Sequence, residues 1–102
     1  MDLGLGRQVV IVTGAASGIG AAIARMLSGE GVGGLVLTDH DATGLQRIGQ
    51  ALSVASPVET VVADLSDSLA PSAIASAATT RFGRIDGLVN AAGLTTRGSF
   101  ET

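Results

Sequence analysis

The stretch VVIVTGAASGIGAA, Val9 to Ala22, decides the fold. Its first four residues are continuously apolar and β-branched, which is how a strand reads when both of its faces are covered, as in a parallel sheet. Gly14, Gly18 and Gly20 then stand as G-x-x-x-G-x-G. Ser17 is placed to cap a following helix, whose apolar stripe is expected at Ile19, Ala22, Ile23, Met26 and Leu27. The turn between strand and helix suits two uses. A helix N-terminus presents unpaired N–H groups and a partial positive charge, and positions without side chains let a pyrophosphate come close. The same residues also suit a plain strand-to-helix turn, and the spacing is not the G-x-G-x-x-G usually quoted for dinucleotides. A Walker-type phosphate loop is excluded, because the sequence contains no lysine.

Downstream, the pattern repeats in kind. Apolar runs recur as LVL from Leu35, as Val61-Val62 after Val58, and as LV at Leu88. Between them, helical spacing appears at Leu45, Ile48 and Leu52, and again at Ile74, Ala77, Ala78 and Phe82. The punctuation agrees with this order. Gly29 to Gly31 ends the first helix, and Asp41 caps the second, with Pro57 beyond its end. Ser66 to Ser68 opens the third, Pro71 falls in its first turn, and Gly83 closes it. The alternation βαβαβαβ, without repeats, linkers or low-complexity tracts, predicts an α/β doubly wound parallel sheet. The final LTTRGSFET reads as the lead-in to another element.

Bulk properties narrow the chemistry. The chain has 102 residues, enough for one domain at most, and the size suits part of one. Its 15 glycines are about twice the usual share of roughly 7%. A net charge of -3 leaves no electrostatic footprint for nucleic acid or an anionic membrane. With no cysteine and one histidine, neither a disulfide frame nor a thiolate or multi-histidine metal site can be built, so no metal is expected. The N-terminus lacks a signal-like pattern and no run approaches a membrane span. A cytoplasmic, untargeted protein is the expectation.

Four further positions bear on a ligand. Asp39 ends the second strand about 20 residues beyond the glycine turn, the offset at which an acidic residue accepts from adenosine ribose hydroxyls; a helix cap or a solvated turn carboxylate is the alternative. A 2′-phosphate beside it would add a like-charge pair costing about 4 kcal/mol at about 4 Å and an effective dielectric of about 20. No lysine or arginine lies nearby in sequence to offset that, so NAD is preferred over NADP. His40 reads as a solvated loop residue. Asp64, in Ala63-Asp64-Leu65, suits either an adenine amine or the cap of the next helix. Asn90, Ala91, Ala92 and Gly93 follow the fourth strand. In a 3-2-1-4 strand order, their loop faces the glycine turn across the switch-point crevice.

These residues resemble the short-chain dehydrogenase/reductase family. Thr13 to Gly20 is similar to its T-G-x-x-x-G-I-G cofactor loop. Asp39 matches its NAD-selecting acidic position, and Asp64-Leu65 its adenine-side pair. Asn90 to Gly93 matches its N-N-A-G motif, with Ala91 in place of the second asparagine. The resemblance runs from about Leu5 to the end of the chain. It implies a Rossmann-type fold of which residues 1–102 form the N-terminal, NAD-binding part. The implied cofactor-binding residues are Gly14, Ser17, Gly18, Ile19, Gly20, Asp39, His40, Asp64, Leu65, Asn90, Ala91 and Gly93.

In the family, a Tyr-x-x-x-Lys pair, a serine and a later asparagine carry catalysis. The tyrosine hydroxyl serves as general acid/base while hydride passes between cofactor and an alcohol or carbonyl substrate. The present sequence has no tyrosine and no lysine, so no catalytic residue is assigned and the catalytic part is expected to be missing from it. The implied function is therefore the NAD-binding portion of an oxidoreductase, inactive alone, whose full-length form is a homo-oligomer. A non-catalytic dinucleotide-binding module and a non-functional truncated product are the alternatives.

Overall fold

A computed structural model describes residues 5–93 of the chain; the LTTRGSFET segment, with its expected further element, lies outside the described residues. After a 3-10 turn at Leu5–Arg7, the elements run β1 (Val9–Thr13), α1 (Gly18–Gly29), β2 (Gly34–Asp39), α2 (Ala42–Ser53), β3 (Val58–Val62), α3 (Ala70–Phe82) and β4 (Gly87–Asn90), followed by a 3-10 turn at Ala91–Gly93. The strands form one parallel sheet in the order β3-β2-β1-β4. This is the doubly wound, Rossmann-like architecture.

The continuous apolarity of β1 and β2 has a direct cause. Every residue of both strands is buried, because successive side chains point to opposite faces and each face carries helices. Val10, Val12, Leu35 and Leu37 pack with α1 and α2 on one face. Val9, Ile11 and Val36 pack with Ala70, Ile74 and Ala78 of α3 on the other. Leu35, Leu37 and Leu45 are fully buried, each burial stabilising the fold by about 1.5–3 kcal/mol. β4 is an edge strand among the described elements. Its Leu88, in register with Ile11, is 64% exposed.

Two local expectations are corrected. The sheet-facing side of α1 is Gly20, Ala21, Ala24 and Ser28, with Leu27 partly buried, whereas Ala22 is exposed and Met26 is 59% exposed. Small residues let this helix lie close to the sheet, so the larger Ile19 and Ile23 are displaced to its half-buried shoulders. Ser28 is buried because its hydroxyl pairs with that of Ser56 at 2.6 Å. The second correction concerns α3, which Ser66 to Ser68 do not open. Its N-cap is Leu69, without a side-chain cap bond. Asp67 instead takes the Leu69 amide on its carboxylate at 2.9 Å and the Ala70 amide on its carbonyl at 3.0 Å. The other boundaries follow the expected chemistry: Ser17 and Asp41 cap α1 and α2, Pro71 lies in the first turn of α3, and Gly83 ends it at φ 76°.

The fourth strand is tied to the first by a charged clamp. The Val9 amide donates to Asp86 Oδ2 at 2.8 Å, and the Asp86 amide donates to the Val9 carbonyl at 2.8 Å. Arg84 holds the same carboxylate through Nε and Nη2 at 2.8 and 2.7 Å. Bonding to Arg84, then to the Val9 amide, keeps the Asp86 carboxyl below its ordinary value. Among the described residues no helix is long and apolar enough to cross a membrane.

Candidate functional site

Because the four strands are parallel, their carboxyl ends gather on one side of the sheet. In a doubly wound fold, the crevice for a ligand forms there, where strand order reverses. A cleft of about 680 Å³ lies at that place, within the roughly 300–1,000 Å³ usual for small-molecule sites. The β1–α1 turn contributes Gly14, Ala16, Ser17, Gly18 and Ile19 to its wall. The end of β2 contributes Asp39, His40 and Asp41, the segment after β3 contributes Ala63, Asp64 and Leu65, and the turn after β4 contributes Ala91 and Ala92.

The three glycines of the turn have different roles. Gly14 sits at φ +66°, and a side chain there would lie 2.7 Å from the Ala92 amide, so the two facing loops touch backbone to backbone. A side chain at Gly20 would overlap the Gly14 carbonyl. Its absence lets the helix start directly under the turn. At Gly18 an added Cβ meets nothing within 4 Å, so this position is open. Ser17 fixes the geometry by accepting from the Gly20 amide at 3.1 Å and donating to the Gly14 carbonyl at 2.6 Å. Of the first-turn amides of α1, that of Gly20 is taken by Ser17, while those of Gly18 and Ile19 have no partner within the helix and remain available to an acceptor.

Asp39 is neither a helix cap nor a solvated turn residue. Only 8% exposed, it accepts from the Ala16 amide at 2.9 Å through Oδ2 and from the Asp41 amide at 2.9 Å through Oδ1. It therefore locks the glycine turn to the β2–α2 connection. Its Oδ1 also lies 3.3 Å from His40 Nδ1, while the His40 side chain is 83% exposed. Asp64 does not cap α3. Its Oδ1 accepts from the amide and hydroxyl of Ser66 at 2.9 and 2.8 Å. The bond from the Ser66 amide, then that from its hydroxyl, holds the Asp64 carboxyl below its ordinary value, with a smaller attraction from His40.

Of the remaining candidates, Gly20 lies buried behind the turn, and Asn90 ends β4 without bordering the cleft. Asn90 does not tie its own backbone; its Oδ1 accepts from Thr13 Oγ1 at 2.7 Å, across the β1–β4 register. Gly93 ends the 3-10 turn after β4. Thr13 is a residue whose local role the motifs did not expose. Buried at the end of β1, it also accepts from the Ala92 amide at 3.4 Å and so positions the loop opposite Gly14. The polar residue ending an otherwise apolar run is the signal that marks it. Ala16 and Ala92, inside the two motif loops, and Asp41 and Ala63, next to the motif acids, complete the wall.

The family model for short chain dehydrogenases matches residues 8–102. Levodione reductase of Leifsonia aquatica is 43% identical over 90 residues, which cover 85% of this chain and 33% of that protein. A short chain dehydrogenase/reductase from Burkholderia phymatum, solved in complex with NAD, superposes with a TM-score of 0.78 at 34% identity, over 82% of this chain and 30% of its own. L-sorbose reductase of Gluconobacter frateurii, solved with NADPH and L-sorbose, gives 0.80 at 30% identity, over 86% and 34%. The chain thus spans about a third of the length of the curated relatives it matches. By the match of its glycine turn, sheet and strand-end loops to one family over nearly all its residues, the chain belongs to the short chain dehydrogenases.

Proposed function

We propose that the cleft binds NAD as the cofactor-holding part of an oxidoreductase acting on an alcohol or carbonyl compound. One observation carries the reading: a single cleft joins an open glycine at a helix N-terminus, a buried carboxylate at the end of β2 and the Asp64-Leu65 pair after β3. The residues fit the group. The pyrophosphate suits the α1 amides near Ser17 and Gly18, where no side chain intrudes. The ribose suits Asp39, whose two oxygens offer about four acceptor sites and keep capacity beyond their present bonds. Adenine suits the space between His40 and Leu65. When bound, a nicotinamide cofactor supplies hydride donation or acceptance, while the protein orients it.

The preference for NAD rests on charge. Asp39, Asp41 and Asp64 all line the cleft, and no arginine does so among the described residues. A 2′-phosphate would enter this carboxylate cluster at a Coulombic cost. The 102 residues hold no tyrosine or lysine to move a proton at the substrate, so turnover by these residues alone is absent. Titration calorimetry tests the reading: NAD binds about tenfold or more tightly than NADP, and Asp39→Ala abolishes that difference. Equal affinities in the unaltered protein overturn the role of Asp39.

A further inference from the structure

Away from the cleft, β3 presents a sheet edge with a charged side chain laid across it. The Leu35 amide donates to the Pro57 carbonyl and the Ala63 amide to the Asp39 carbonyl, so Pro57, Glu59, Val61 and Ala63 are the residues that bond to β2. The main-chain groups of Val58, Thr60 and Val62 therefore point away from the sheet. No strand lies beyond β3 among the described residues, and Thr60 and Val62 are exposed. Such an edge is a template for another strand. One of its outward groups is already taken. Arg81, in the last turn of α3, donates through Nη1 to the Val58 carbonyl at 3.1 Å and to Glu59 Oε1 at 2.9 Å. Its guanidinium also lies 5.0 Å from the centre of the Phe82 ring, so three partners fix it in place.

We propose that Arg81 guards this edge: held over the Val58 carbonyl, it stops β3 from pairing with the β3 of a second copy of the chain. The strand is built to recognise itself. Its outward residues, Val58, Thr60 and Val62, are spaced symmetrically about Thr60. In an antiparallel two-fold pairing, the two Thr60 residues exchange both main-chain bonds, and Val58 of each copy comes opposite Val62 of the other. Every cross-strand pair on that face is then β-branched, a favourable combination. The pairing needs the Val58 carbonyl as an acceptor for the amide opposite it. That carbonyl is the group Arg81 occupies, and a charged side chain across an edge is a known way of blocking such contacts. Glu59 acts with it by anchoring the guanidinium.

The chain has no cysteine, so a single introduced one reports where two copies meet. Disulfide-linked dimer is measured for Thr60→Cys in the full chain, with Arg81 present and with Arg81→Ala, which keeps a good helix former in α3. Opposed residues of the proposed pairing lie about 5.5 Å apart at Cα, within disulfide reach. Val54→Cys, at a position 90% exposed beyond α2, is the control. Loss of Arg81 raises linkage at position 60 by about fivefold or more, because each two-fold pairing frees two exposed charged contacts, and leaves position 54 unchanged. The net charge of -3 grows more negative without Arg81, so repulsion between copies opposes this rise. Any association through the exposed Leu88 of β4 is common to both proteins. Should Arg81→Ala not fold, Glu59→Gln takes its place, loosening the guanidinium while leaving α3 intact. In the chain without cysteine, Thr60→Pro removes an outward N–H but no bond to β2, and returns the sedimentation of Arg81→Ala to that of the unaltered protein. Equal linkage at position 60 with and without the guard, an equal rise at position 54, or association that persists after Thr60→Pro overturns the inference.

Discussion

Gly18 and Gly20, two residues apart in one turn, separate binding from folding. A Cβ at Gly20 would overlap the Gly14 carbonyl and lie 2.6 Å from its carbon, both rigid backbone, whereas a Cβ at Gly18 meets nothing. Gly20→Ala is therefore expected to destabilise the fold by about 1–3 kcal/mol, as overpacking does, measured by chemical denaturation. Gly18→Val leaves stability within about 0.5 kcal/mol but fills the approach to the α1 amides and weakens NAD by about tenfold or more, measured by calorimetry. Wild-type affinity in folded Gly18→Val would remove the pyrophosphate from this turn. The residues of this site were legible in the sequence unequally. Ser17 was readable because a cap acts on amides three residues away. The bond from the Ala16 amide to Asp39 was not, since it joins residues 23 apart that meet only after β1 and β2 pair.

At the scale of elements, β1 and β2 were the most legible, because burial on both faces leaves an unbroken apolar run. Helix faces were less so. For α2, Leu45, Ile48 and Leu52 do face the core. For α1, periodicity favoured the large residues, while close approach to the sheet selected Gly20, Ala21 and Ala24 instead. The start of α3 was obscured because Asp64 and Asp67 organise the preceding turns through their own side chains, so neither Ser66 nor Ser68 acts as its cap. The join between β1 and β4 carries a pH dependence. The folded-state value of Asp86 is depressed, so its contribution is present above the unfolded value of about 3.9 and is lost as pH falls through the folded value. Asp86→Asn should therefore lower the melting temperature at pH 7, and the gap to the unaltered protein should close as the pH approaches about 2. A gap that is constant from pH 7 to 2 would show that the ionised clamp does not support the sheet.

Over the whole molecule, the order β3-β2-β1-β4 follows from parallel strands joined by helices on both faces, and it places all the motif loops at one end. That convergence was readable from the order of motifs. The depth at which Asp39 is buried and the exposure of Leu88 at the edge of β4 were not, because both depend on what packs beside each strand. The proposed function requires the cleft at this end to receive the adenosine and pyrophosphate of NAD. Backbone amide NMR of the isotope-labelled protein during an NAD titration tests it most directly. Saturable shifts are expected at Gly14 to Gly20, Asp39 to Asp41, Asp64 and Leu65, with Gln46, Gln50 and Ser53 of α2, which lie outside the cleft, unchanged. Saturable shifts confined to residues outside that cleft, or no shift at millimolar NAD, would contradict it.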